Sequence, residues 1–110
     1  MPVLDMNTFN TLKESTGADF IPELIDAFFE DAVTQMADMK TAIASNDAET
    51  FRRAAHSLKS NAATFGATDL SALARELEMM GREKNLAVGN KLEVLKEAFE
   101  NVKSQLNRLR

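Results

Sequence analysis

The sequence contains a single histidine, His56, and it is the one side chain placed to act as a nucleophile. An imidazole titrates near neutrality, so a solvent-facing one offers an unprotonated nitrogen at physiological pH. Counting by helical turns from it gives Arg52 and Arg53 before the ring, and Lys59, Ser60 and Ala63 after it. A lysine one turn away could attract and neutralise an incoming phosphoryl oxygen. Ser60, Ala63, Gly66 and Ala67 are small, which leaves room for a bulky partner to reach the ring. Other chemistries lack their parts. A metal site is the weaker reading, because no second histidine or cysteine exists to share the metal, and there is neither a nucleophile elbow nor a glycine-rich phosphate loop. A nucleophile without its own metal, base or leaving-group machinery makes sense when a partner protein brings them. A lone surface histidine is more often an ordinary solvated residue, so these residues alone leave both readings open.

The elements that must position His56 read as helices throughout. Helix formers dominate, apolar residues recur at three and four, and no run alternates with period two. Asp5 caps a short first helix, about Met6 to Thr16, ended by Gly17. A second starts near Asp19 with Pro22 in its first turn, where a missing N–H costs nothing. It runs to about Ser45 with Leu24, Phe28, Ala32, Met36, Met39 and Ile43 on one side. Asn46-Asp47 breaks it, and Asp47 caps a third helix through about Phe65 whose apolar stripe is Phe51, Ala54, Ala55, Leu58, Ala62 and Phe65. His56 lies off that stripe and faces solvent. Gly66-Ala67 ends the third helix. Thr68 or Asp69 caps a fourth, carrying Leu70, Leu73, Leu77 and Met80 and stopped by Gly81. A polar stretch from Arg82 to Asn85 leads to a fifth with Leu92, Leu95, Phe99, Val102, Leu106 and Leu109. Four amphipathic helices with short connections predict an all-α, antiparallel up-down four-helix bundle, with the short additional N-terminal helix over one end.

Composition bounds the rest. The 110 residues predict one domain spanning 1–110. Scaling with mass gives about 6,100 Å² of folded surface against roughly 17,700 Å² unfolded, enough burial for one core. The absence of cysteine rules out disulfides and fits a reducing compartment. No apolar stretch is long enough for a membrane helix, and Met1-Pro2-Val3-Leu4-Asp5 resembles no signal peptide. A net charge of −4 disfavours general nucleic-acid binding. The charge is uneven, with an acidic first half and a basic second half, so a partner seeking positive surface finds it after residue 50.

At His56 a family resemblance enters. The run Ala55-His56-Ser57-Leu58-Lys59-Ser60-Asn61-Ala62-Ala63-Thr64-Phe65-Gly66-Ala67 resembles the signature of histidine-containing phosphotransfer (HPt) domains, His-x-[Leu/Ile/Phe]-Lys-[Gly/Ser] with glycine ten residues after the histidine. Leu4-Asp5 with Phe9 and Leu12, Phe20 to Ala32, and Leu70, Leu73, Leu77-Glu78 and Gly81-Arg82 extend the resemblance over nearly the whole chain. It implies a monomeric, cytoplasmic helical bundle within a sensor histidine kinase pathway. His56 would accept a phosphoryl group, on Nε2, from a receiver-domain aspartyl phosphate of a response regulator and pass it to another receiver's aspartate. The receiver would supply Mg²⁺; the chain would hold no cofactor or metal and have no kinase activity of its own. Lys59 would support the phosphoryl charge. Glu78 would accept from Nδ1–H and expose Nε2. Gly66 would keep the surroundings of the ring open. Arg52 and Arg53 would meet the receiver's acidic rim, and Ser60, Ala63 and Ala67 would line the approach. Ser60 departs from the glycine many members carry, which puts the backbone approach there in question.

Two other readings fit parts of the pattern. The phosphoacceptor domain of a chemotaxis-type kinase carries a similar His-x-x-Lys, with ATP as donor through a kinase domain; the absence of a kinase or linker after Arg110 leans against it only if these residues are the full gene product. A phosphorylation-independent helical adaptor would use the exposed face of the second and third helices and would tolerate loss of His56.

Overall fold

A computed structural model describes residues 3–110; Met1 and Pro2, part of the N-terminal stretch read above, lie outside the described residues. The helices are α1 (Met6–Thr16), α2 (Ile21–Ala44), α3 (Ala48–Thr64), α4 (Thr68–Arg82) and α5 (Lys91–Leu109), with one 3-10 turn (Ala18–Phe20) before α2. Each of α2 to α5 packs against its neighbours in sequence, and α2 closes the ring against α5, which is the contact pattern of an up-down four-helix bundle. The first helix touches α3 and the 3-10 turn and covers one end. The described surface is 6456 Å².

Local chemistry sets the ends of α3. Asp47 accepts from the Thr50 backbone N–H at 3.1 Å and from its hydroxyl at 2.7 Å, satisfying a donor left free in the first turn. Asp5 does the same for α1 through Asn7 N–H and the Thr8 hydroxyl. Three helices end in one motif, in which a left-handed residue lets two N–H groups fold back onto the last turn. At α2 the left-handed residue is Asn46 (φ 56), with Asp47 N–H on the Ala42 carbonyl. At α3 it is Gly66 (φ 79), with Ala67 N–H on the Ala62 carbonyl, and at α4 it is Lys84 (φ 58), with Asn85 N–H on the Met80 carbonyl.

Several expectations are corrected. Gly81 does not stop α4: the helix continues through Arg82, and Gly81 lies inside it, buried. Neither Thr68 nor Asp69 caps α4, since the N-cap is Ala67 without a side-chain bond. The buried stripe of α2 centres on Ile21, Ile25, Phe28, Ala32, Met39 and Ala42, leaving Leu24, Met36 and Ile43 at its margin. Leu109 is exposed at the C-terminal end of α5. The core is tied by rings from α2, α5 and the α3 cap, with Phe28 stacked on Phe65 at 4.8 Å and edge-on to Phe99 at 6.1 Å.

Gly66 is the position least open to change. A Cβ there would sit 2.6 Å from the Asp5 backbone oxygen, and the left-handed conformation is strained for any β-branched residue. Its carbonyl also accepts from Asp5 N–H at 2.7 Å. Gly66→Val should therefore cost at least about 2 kcal/mol of stability. Denaturant unfolding checks this, and a midpoint equal to the wild type would contradict it.

Candidate functional site

His56 is on the outer face of α3, its ring side chain 52% exposed, because the apolar residues around it turn the opposite face into the bundle. Opposite it, on antiparallel α4, Glu78 is the one buried charged residue among those described, with its side chain 3% exposed. Glu78 Oε2 lies 2.8 Å from His56 Nδ1, and Glu78 Oε1 accepts from Lys59 Nζ at 2.7 Å. Arg82, one turn beyond Glu78 on α4, brings Nη2 to 3.5 Å from Oε2.

This arrangement decides the state of the carboxyl. Burial works against its charge, but the hydrogen bonds from Lys59 and His56 outweigh it and hold Glu78 below the ordinary glutamate value. A depressed folded value means that Glu78 contributes stability above the unfolded value and loses it as pH falls through the folded one. Glu78→Gln should therefore flatten the acid limb of the stability–pH curve. An acid limb of unchanged slope would show that the carboxyl is not ionised in the fold.

An ionised carboxylate only accepts, so the Nδ1 facing it carries the proton. In the neutral ring the lone pair is then on Nε2, the nitrogen turned toward solvent. The site presents a nucleophilic nitrogen whose tautomer is set from behind, a partly exposed ammonium beside it, and a buried anion that can face a positive charge on the ring.

The remaining sequence-derived residues divide. Ser60 and Ala63 are exposed on α3, on the turns following His56. Arg53 is exposed, with only a 3.8 Å approach to Glu49. Arg52 is instead engaged by Glu49 through Nε and Nη2, so its charge is already paired within the first turns of α3. Ala67 is fully buried and offers no surface to a partner. Gly66 is buried too: its missing side chain makes room for Asp5 and Thr8, and its backbone lines the groove beyond Ala63. That groove, lined also by Thr8 of α1 and by Thr68, Ser71, Arg75 and Met79 of α4, has a volume near 500 Å³.

Two residues beside the site have no role in the sequence pattern. Arg82 stands four residues after Glu78, the spacing of a helical ion pair, and that interval was the available signal. Ser71 donates its hydroxyl to the Lys59 carbonyl at 3.1 Å, linking α4 to α3 beside the site; no local pattern announces a contact of that separation.

Comparison with known proteins adds three findings. The family model described as "Hpt domain" matches residues 23–108. Phosphorelay protein LuxU of Vibrio vulnificus, in strains YJ016 and CMCP6, is 30% identical over 83 residues, covering 76% of this chain and 72% of LuxU. The crystal structure of histidine-containing phosphotransfer protein B (HptB) from Pseudomonas aeruginosa PAO1 superimposes with a TM-score of 0.88 at 26% identity, covering 97% of this chain and 93% of that one.

Proposed function

The chain belongs to the Hpt domain family and is a histidine-phosphotransfer intermediate of a phosphorelay; from that premise we propose what each residue of the site does. The phosphoacceptor is His56. Its Nε2 lone pair attacks the phosphorus of a receiver's aspartyl phosphate. The N–P bond forms as the acyl-phosphate P–O bond breaks, and the aspartate leaves as a carboxylate. No proton has to leave, because Nδ1 keeps its hydrogen. The ring becomes a phosphorylated cation, and the Glu78 carboxylate 2.8 Å from Nδ1 faces that charge. Reversal by a second receiver's aspartate follows the same path. The observation that carries this reading is the half-exposed imidazole backed by a buried, ionised carboxylate.

Lys59 supports the phosphoryl charge by exchanging partners. Its ammonium is held by Glu78 Oε1 at rest. When the ring gains positive charge, Glu78 pairs with the ring more strongly, and Lys59 can turn to the phosphoryl oxygens. Lys59→Ala should slow transfer while leaving receiver binding largely intact, read by single-turnover kinetics beside a binding isotherm. An unchanged rate would make Lys59 a bystander.

The receiver supplies Mg²⁺ and the acidic pocket. Both oxygens of Glu78 already take nitrogen donors, so the site offers a phosphoryl group a nucleophile and a cation rather than an oxygen cage for a hard metal. The chain acts as a monomeric cytoplasmic carrier without kinase activity, between a sensor kinase pathway and its receivers; among the described residues no helix is long and apolar enough to cross a membrane. The test is transfer from a panel of radiolabelled receiver domains. Acid-labile, alkali-stable label on the chain supports the reading. Failure to take label from every receiver and from a small-molecule phosphoramidate rejects it.

A further inference from the structure

We propose that Gly81 is a positioning residue for phosphoryl transfer: by carrying no side chain, it sets the α3–α4 separation that holds Glu78 against His56 Nδ1. The inference rests on the phosphoacceptor role of His56 for its kinetic consequence, but its structural part stands independently.

Glycine is the poorest helix former after proline, so one buried inside α4 calls for a reason. Backbone conformation does not supply it, since Gly17, Gly66 and Gly89 have positive φ and Gly81 does not. Space does. A Cβ on Gly81 would lie 3.0 Å from Arg52 Cβ, 3.1 Å from Arg52 Cα and 3.1 Å from Phe51 Cδ1. None of these yields cheaply. Phe51 is fully buried in the core, and the Arg52 atoms belong to the helix backbone and its first side-chain carbon. An added methyl would have to push the helices apart at this point.

That point is the rung next to the site. Gly81 follows Glu78 by three residues on α4, and Arg52 precedes His56 by four on antiparallel α3. The Gly81–Arg52 contact and the Glu78–His56 hydrogen bond are therefore successive crossings of the same helix pair. On the far side, Ser71 Oγ bonds the Lys59 carbonyl at 3.1 Å. The His56–Glu78 pair is thus held between two close crossings. At 2.8 Å it is already near the best separation, and a few tenths of an ångström of added spacing weakens it directly. Weakening it releases the ring to populate the other tautomer, in which Nε2 carries the proton and is not nucleophilic.

Because His56 is the only histidine, its ¹⁵N–¹H long-range spectrum with the ring neutral reports the tautomer without assignment ambiguity. In the wild type the Nδ1–H form should dominate. Gly81→Ala should raise the Nε2–H fraction and slow transfer from a phosphorylated receiver several-fold, with helicity by circular dichroism unchanged. A merely structural glycine would alter the melting temperature and leave the tautomer alone, and a wild-type tautomer ratio in Gly81→Ala overturns the proposal. If Gly81→Ala does not fold, the comparison passes to Gly81→Ala/Phe51→Leu, which removes the ring edge. An Nε2–H fraction above that of Phe51→Leu alone supports the proposal, and an equal fraction overturns it. Should the wild type accept no phosphoryl group from any donor, the function proposed above fails while the tautomer comparison still decides the role of Gly81.

Discussion

Replacing His56 with glutamine should abolish phosphoryl acceptance and leave the fold intact. The loss is complete because nothing else in the site can take the group. Lys59 is a protonated ammonium bound to Glu78, and Glu78 is a carboxylate whose oxygens are both occupied. The fold survives because the imidazole is half exposed and its one polar contact is with Glu78. Glutamine is close in length and can donate its amide N–H to the same carboxylate, so the buried anion keeps a partner. Far-UV circular dichroism and denaturant midpoint should match the wild type, while labelling by a phosphorylated receiver or by phosphoramidate should fall to background. Equal labelling of the variant would reject His56 as the acceptor. Intact biological output from it would favour the helical-adaptor reading instead.

The second large effect is expected at Glu78. A glutamine there keeps one acceptor oxygen and exchanges the other for a donor, so it cannot accept from His56 Nδ1 and Lys59 Nζ at separate oxygens. It also removes the negative charge that faces the ring as phosphorylation makes it a cation. A hydrogen bond to a charged group contributes about 1.5–3 kcal/mol. If that contribution is realised only as the ring becomes charged, its loss corresponds to roughly a 10- to 150-fold slower transfer. Rapid-quench single turnover from a phosphorylated receiver measures it, with His56 tautomer populations recorded on the same sample. A wild-type rate would reduce Glu78 to a partner that keeps Lys59 in place. Glu78→Gln also leaves Arg82 without its nearby anion, so Arg82→Ala measured alongside separates the two contributions.

Much of this was legible in the chain because it is local. Asp5 and Asp47 as caps, Pro22 in the first turn of α2, the ends at Asn46 and Gly66, and the outward face of His56 all follow from interactions within four or five residues, the range over which helical periodicity and capping act. The same range explains the failures at α4. A glycine near the end of an apolar pattern looks like a stop, and only the neighbouring helix distinguishes it from a glycine that makes room. Lys84, a residue with no marked preference for left-handed geometry, took the capping role three positions later because the turn into the next segment required it.

The amino-acid sequence by itself determined the helices, the exposure of His56 and the small residues along its turns. The family resemblance pointed to Glu78 behind the ring, and the tertiary structure decides that its carboxylate stands there, buried and 2.8 Å from Nδ1. Glu78 is 22 residues from His56 and 19 from Lys59, and only the antiparallel packing of α4 on α3 buries its carboxylate between them. It is that burial which sets the tautomer: water would leave a surface glutamate indifferent to the imidazole, whereas a desolvated anion must be satisfied by the donors within reach. Ala67 moved from expected partner surface to interior for a similar reason, since the N-terminal segment folds over the α3–α4 turn at Gly66 and no local pattern in the sequence encodes that contact.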